Sequence, residues 1–326
     1  MRIDRAARAL WLLGLVGLLP AFTGAPAFLR VFLLFLVAPL VVDAARWIRR
    51  RRAQREEPPG EAAGVHPDLP LPEPARRYGA SGLVLRAEFS TALGCLNPLQ
   101  LAQVVRQVRG EGAARQRVVS DPAAYRQETE YTLPFEGEWL VMNGGVTPET
   151  SHSWELAGQR FAYDFVVADA EGRRHSGAGT RAEHYHAYGR PVLAPADGTV
   201  VAVRDGVRDA PRPGTGWVDW LAADFRGNWV AIRHAGREHS FLAHLVPGSV
   251  RVRPGDPVRR GEVVGLCGNS GHSTEPHLHF QVQDGPDFFR AGGLPVAFSG
   301  CVVDGAPADG PVHLRAGMRV RSAPGA

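Results

Sequence analysis

Gly268-Asn269-Ser270-Gly271-His272-Ser273-Thr274-Glu275-Pro276-His277-Leu278-His279-Phe280 is the stretch on which the reading of this chain turns. Beyond Pro276 the residues alternate with the period of a strand: Leu278, Phe280 and Val282 on one face, His277, His279 and Gln281 on the other. The apolar face anchors the strand to a core and holds two imidazoles side by side on a rigid element, a good platform for a metal. Upstream lie Ala194-Pro195-Ala196-Asp197-Gly198-Thr199-Val200-Val201, Asn228-Trp229-Val230-Ala231-Ile232-Arg233-His234, Phe241-Leu242-Ala243-His244-Leu245, Val252-Arg253-Pro254-Gly255-Asp256-Pro257-Val258 and Gly261-Glu262-Val263-Val264-Gly265. Short apolar runs parted by Gly, Pro and Asp turns, about 8–12 residues apart, predict an all-β unit.

Taken in order, these motifs resemble the lysostaphin/LytM-type zinc metalloendopeptidases, which cut peptide cross-links of bacterial peptidoglycan. The resemblance runs from about Leu133 to Asp284. It implies a mostly β fold, a LytM-type antiparallel sheet or barrel-like domain over residues 131–300, with one Zn2+ per chain. Catalytic zinc takes three protein ligands and leaves a position for water. The resemblance makes His279, the second histidine of His-x-His, one of them. Asp164, in Gln159-Arg160-Phe161-Ala162-Tyr163-Asp164-Phe165, is the carboxylate; flanked by aromatics, its charge is costly unless a cation or an arginine offsets it.

The third ligand departs from the commonest pattern, in which a histidine stands four residues before the aspartate. Here that residue is Arg160, which stays protonated and cannot coordinate. A subgroup sharing Gln-Arg-Phe-Ala-x-Asp carries a histidine about a dozen residues earlier, which implies His152 in Ser151-His152-Ser153. Should His152 not serve, His184 and His186 come next, although the subgroup generally has tyrosines there and packing near the cleft mouth is the expectation. His277 and His244 match the family's two catalytic histidines. With no His-Glu-x-x-His sequence there is no glutamate base, so His277 would take the proton of a metal-activated water and a protonated His244 would support the oxyanion. His234 is expected to be structural, and His66, His175, His239, His272 and His313 to be surface residues.

Composition narrows the partners. All 37 basic residues are arginine, and the net charge is +4. Residues 1–55 hold ten arginines against Asp4 and Asp43, so the basic surplus belongs to that segment and the remainder is acidic. A nucleic-acid-binding surface is not supported. Cys95, Cys267 and Cys301 are too few for a disulfide framework, and Cys267 reads as a small buried hydrophobe.

Residues 1–52 form a membrane anchor or signal segment. Apolar runs at 10–22 and 27–42, each shorter than the ~20 residues of a comfortable span, are flanked by Arg2, Arg5 and Arg8 and by the block from Arg46 to Arg55. A signal peptide ending at Ala25-Pro26-Ala27, a helical hairpin and one bent anchor all fit. A membrane location with an extracytoplasmic catalytic domain is expected. Residues 53–77, rich in proline and charge, predict a linker. Residues 78–130 predict a small α/β unit: a strand over Gly82–Phe89, then a helix opened by Asn97-Pro98 and closed by Gly110. Residues 301–326 are expected to be a tail.

The function expected is hydrolysis of peptidoglycan peptide cross-links. The alternative is a catalytically silent module that binds cell wall or activates cell-wall amidases, which Arg160 keeps open. Retention of Asp164, His244, His277 and His279 together argues for the enzyme.

Overall fold

The computed structural model describes residues 70–324. The expected membrane segment, and residues 53–69 of the expected linker, lie outside them. No helix of the described residues is long and apolar enough to cross a membrane.

After a helical turn, α1 (Glu73–Arg76), come two helices, α2 (Gly79–Gly94) and α3 (Pro98–Arg117). Strands β1 (Trp139–Asn143), β2 (Tyr163–Val166), β4 (Gly198–Arg204), β5 (Asn228–Arg233), β6 (His239–Leu245) and β9 (Leu278–Gln283) form the centre of one antiparallel sheet. β3 (Pro191–Leu193) and β8 (Val263–Leu266) pair separately. The large sheet ends on β7 (Pro257–Val258) at one side and β12 (Ala306–Pro307) at the other. It is an open sheet rather than a barrel: each terminal strand is two residues long and carries a proline, which cannot donate to a further strand.

Leu278, Phe280 and Val282 enter the main core with Tyr163, Phe165 and Phe298, as the alternation predicts. Tyr163 and Phe165 stack at 5.7 Å, and both meet Phe298 edge-on. The opposite face of the sheet carries a smaller cluster of Ala231, Phe241, Phe288 and Phe289. That face holds the polar residues considered below.

Three local expectations need correction. The Gly82–Phe89 strand is helix α2: Leu83, Ser90 and Gly94, seven and four residues apart, make its buried side, a helical period that two alternating leucines could not reveal. The residues expected as a tail supply β11 (Cys301–Val303), β12 and β13 (Arg319–Ser322), and β13 pairs with β1. Their strands are too short to show a period. Finally, α3 runs seven residues past Gly110. Glycine is there because of close approach, since a Cβ would stand 2.0 Å from the Phe289 carbonyl oxygen. Gly110→Ala should therefore destabilise the chain by about 1–3 kcal/mol through overpacking, although alanine favours helix by ~1 kcal/mol. Unfolding of the full chain in denaturant checks this; a gain in stability would mean that α3 is not docked on the Phe289 loop.

Candidate metal centre

Sheet register builds the site. On neighbouring strands Asn143 pairs with Asp164, Asp164 with His279, and His279 with Ala243. These four side chains form a row across one face, and alanine at its end leaves room above the sheet. Asp164 is buried, with Oδ1 2.9 Å from His279 Nδ1 and Oδ2 accepting from Asn143 Nδ2 at 3.1 Å. His277 Nε2 lies 3.5 Å from Asp164 Oδ1, and His152 Nε2 lies 3.4 Å from Oδ2. One atom each from His152, Asp164 and His279 can be chosen within 4.8 Å of one another.

His152 arrives on a loop pinned at both sides. Ser151 Oγ donates to the Arg160 carbonyl and Ser153 Oγ to the Gln159 carbonyl, each at 2.7 Å. Arg160 is turned aside, its guanidinium over the Trp154 ring at 4.9 Å and its Nε donating to the Trp154 carbonyl. The arginine thus braces the loop that brings His152 in.

The donor set fits a cation such as zinc. His279 stands between two acceptors, Asp164 Oδ1 at Nδ1 and Gln281 Oε1, 2.8 Å away, at Nε2. A neutral imidazole has one N–H for the two. A cation between Nδ1 and the carboxylate removes the conflict, leaving the proton on Nε2 to donate to Gln281. Gln281 is itself fixed, donating to the Gly158 carbonyl at 3.3 Å. Such a partner would orient His279 as outer support if the imidazole held a metal, a role the sequence alone did not reveal. The alternation put Gln281 on the histidine face, which was the available signal.

His277 donates from Nδ1 to the Glu275 carbonyl at 2.8 Å, with Ser273 Oγ 3.1 Å away. His244 donates from Nδ1 to the Ser270 carbonyl at 2.8 Å, and its ring centre is 4.8 Å from that of His277. His244 sits at φ +63°, a region non-glycine residues rarely occupy and one that clusters at functional sites.

Burial alone would raise the Asp164 carboxyl. The His152 and His277 imidazoles, with hydrogen bonds from His277 and His279, outweigh it and hold the carboxyl well below its usual range. Burial would likewise lower His277, but the Asp164 charge and hydrogen bond raise it. Burial, aided by His277 and His279, pushes His244 well below its ordinary value. His244 Nδ1–H is committed to the Ser270 carbonyl, and this burial works against the protonated His244 expected from sequence.

A cavity of about 500 Å³ opens over these residues. His184 and His186 do not line it. His234 is structural as expected, bonded to the Asp197 carbonyl and Ser240 Oγ, each at 2.8 Å. Two expected surface histidines are not: His239 is buried, and His272 lines the cavity with Nε2 2.8 Å from Gln100 Oε1. Burial pushes His272 down to about 4, against the pull of Asp219 and Asp224. The three cysteines are free, and Cys267 is buried as expected.

Residues 174–290 match the family model described as Peptidase family M23. That stretch holds His244, His277 and His279 and begins after His152 and Asp164. Among curated relatives, an uncharacterized metalloprotease of Haemophilus influenzae is 36% identical over 93 residues, 28% of this chain and 16% of the relative. Peptidoglycan DD-endopeptidase ShyA of Vibrio cholerae is 32% identical over 94 residues, 29% of this chain and 17% of the relative. Glycyl-glycine endopeptidase ALE-1 of Staphylococcus capitis is 32% identical over 93 residues, 28% of this chain and 21% of the relative. The chain thus spans about a fifth or less of the length of these relatives. A solved putative peptidase M23 from Pseudomonas aeruginosa is 21% identical, covering 59% of this chain and 62% of its own at a TM-score of 0.30. The stretch holding His244, His277 and His279 is thus the part of the chain that matches peptidase family M23.

Proposed function

We propose that this chain is a zinc endopeptidase that hydrolyses peptide cross-links of peptidoglycan, with His152, Asp164 and His279 as ligands and His277 and His244 carrying the proton. The observation that carries this reading is the convergence of His152, Asp164 and His279 within 4.8 Å, with two further imidazoles beside the carboxylate. A relative named as a peptidoglycan DD-endopeptidase supplies the substrate class. Membrane attachment through residues 1–52 and an extracytoplasmic catalytic domain belong to the same proposal, since peptidoglycan lies outside the membrane.

Zinc bound there would acidify a water and polarise the scissile carbonyl. The rest falls to the chain. With Nδ1–H given to Glu275, His277 turns Nε2 toward Asp164. With the carboxylate charge that raises His277 taken up by a cation, this Nε2 would be free to accept the proton of the attacking water. His244, anchored through Nδ1 to the Ser270 carbonyl, offers a second acceptor at Nε2. Whichever imidazole takes the proton becomes the acid that can return it to the leaving amine, so base and acid need no third group. Asn143 holds the free side of the Asp164 carboxylate, and Gln281 fixes the His279 tautomer.

Arg160 was the ground for a silent module. Its guanidinium lies on Trp154 and does not line the cavity, and His152 occupies the space around the carboxylate.

Two measurements follow. The purified full chain should retain about one zinc per chain after mild dialysis; a well-folded, metal-free protein would favour a silent module. Gln281→Leu should weaken zinc by about 10–100-fold, the usual cost of losing an outer partner, as read by chelator competition. Unchanged affinity would mean that the Gln281 bond does not orient His279.

A further inference from the structure

α3 crosses the edge of the metal cavity and is fastened to three of the loops around it. Near its start Asn97 Nδ2 donates to the Ala222 carbonyl, Gln100 Nε2 to the Asp219 carbonyl and Gln103 Nε2 to the Ala223 carbonyl. Midway, Gly110 rests against the Phe289 backbone, and Glu111 accepts from Ala157 N in the loop that carries His152. At its end Arg117 pairs with buried Asp284 at 2.8 Å. A helix held so tightly is a fixed wall.

The face it turns to the cavity is unlike the polar faces that fasten it. Val104 and Val108, one turn apart, line the cavity and remain 39% and 62% exposed. Leu156, 38% exposed, lines it from the His152 loop. Between the valines Gln107 donates from Nε2 to Glu111, while its Oε1 is buried without a partner. Exposed branched apolar side chains beside an unpaired buried acceptor are costly in the free protein. An extended peptide relieves the first of these costs, its side chain covering the valines.

We propose that α3 forms one wall of the substrate groove, in which Val104, Val108 and Leu156 make a subsite for a small apolar side chain. The inference rests on the endopeptidase reading and deepens it by naming the substrate class: cross-links with a methyl-bearing, alanine-type residue beside the scissile bond are preferred over glycine-only ones. Glycine leaves the valines uncovered, and a charged side chain in the same place would be desolvated against them without a partner.

The test uses two synthetic peptides identical but for alanine or glycine on one side of the scissile bond, and the zinc-loaded full chain. The alanyl peptide should be cut with kcat/KM about three- to tenfold higher, the worth of roughly one methyl partly covered. Val104→Ser with Val108→Ser should erase that ratio while zinc content and melting temperature stay unchanged, both positions being exposed. A ratio unaltered by the double substitution overturns the proposal. So does an equal acceleration on both peptides, which would make α3 a lid. Affinities of the two peptides for zinc-loaded His277→Ala protein, measured by calorimetry, judge the subsite without turnover. If wild-type protein with full zinc cuts neither peptide, the endopeptidase reading fails, while the affinity ratio and its loss in the valine variant still decide the wall.

Discussion

Asp164→Ala protein is expected to emerge from dialysis without zinc, its affinity lowered by more than the roughly 100-fold that loss of an outer partner can cause. Asp164 is the one carboxylate lining the cavity among the described residues. Its removal takes away a proposed ligand and the charge that would offset a divalent cation in a buried site. His152, His277 and His279 then face one another with no anion between them. His152→Ala should also strip zinc, because it removes one ligand of three. If it instead keeps full metal and activity, the third ligand is not His152. Equilibrium dialysis with metal analysis reads each case, and far-ultraviolet circular dichroism shows whether the sheet is intact.

His277→Ala is expected to keep its zinc and lose turnover of purified sacculi by about 10²–10⁴-fold, the range for a positioned proton-transfer group. The metal should stay because the substitution leaves His152, Asp164 and His279 in place. His244→Ala should behave in the same way but less severely, since His277 remains to accept the proton. The pair separates chemistry from binding: metal lost along with activity in His277→Ala would move His277 into the ligand set.

The residues of this site were legible to different degrees, for physical reasons. Alternation around Leu278 and Phe280 was enough to place His277, His279 and Gln281 on one face, because a strand has one period and one core side. The row from Asn143 through Asp164 to Ala243 was not legible, since register depends on pairing between distant segments. Asn143 and Gln281 were missed because amides next to imidazoles gain meaning only from geometry. Helix α2 was misread where Leu83 and Leu85 imitate a strand over too few residues. Gly110 looked like a helix end, and what it does is admit the Phe289 carbonyl. His272 looked like a surface residue because nothing local signals that Gln100, far away in sequence, covers it.

The most direct test of the central claim is incubation of purified sacculi with the zinc-loaded full chain, followed by analysis of the peptides and new amino groups released. Cutting of cross-links is predicted, with new amines in step with cleaved peptide bonds and glycan strands left intact. A chelator should stop it, zinc should restore it, and Asp164→Ala should abolish it. Protein with full zinc that releases no amine, or Asp164→Ala protein that releases as much as wild type, would contradict the assignment of this site as a zinc endopeptidase.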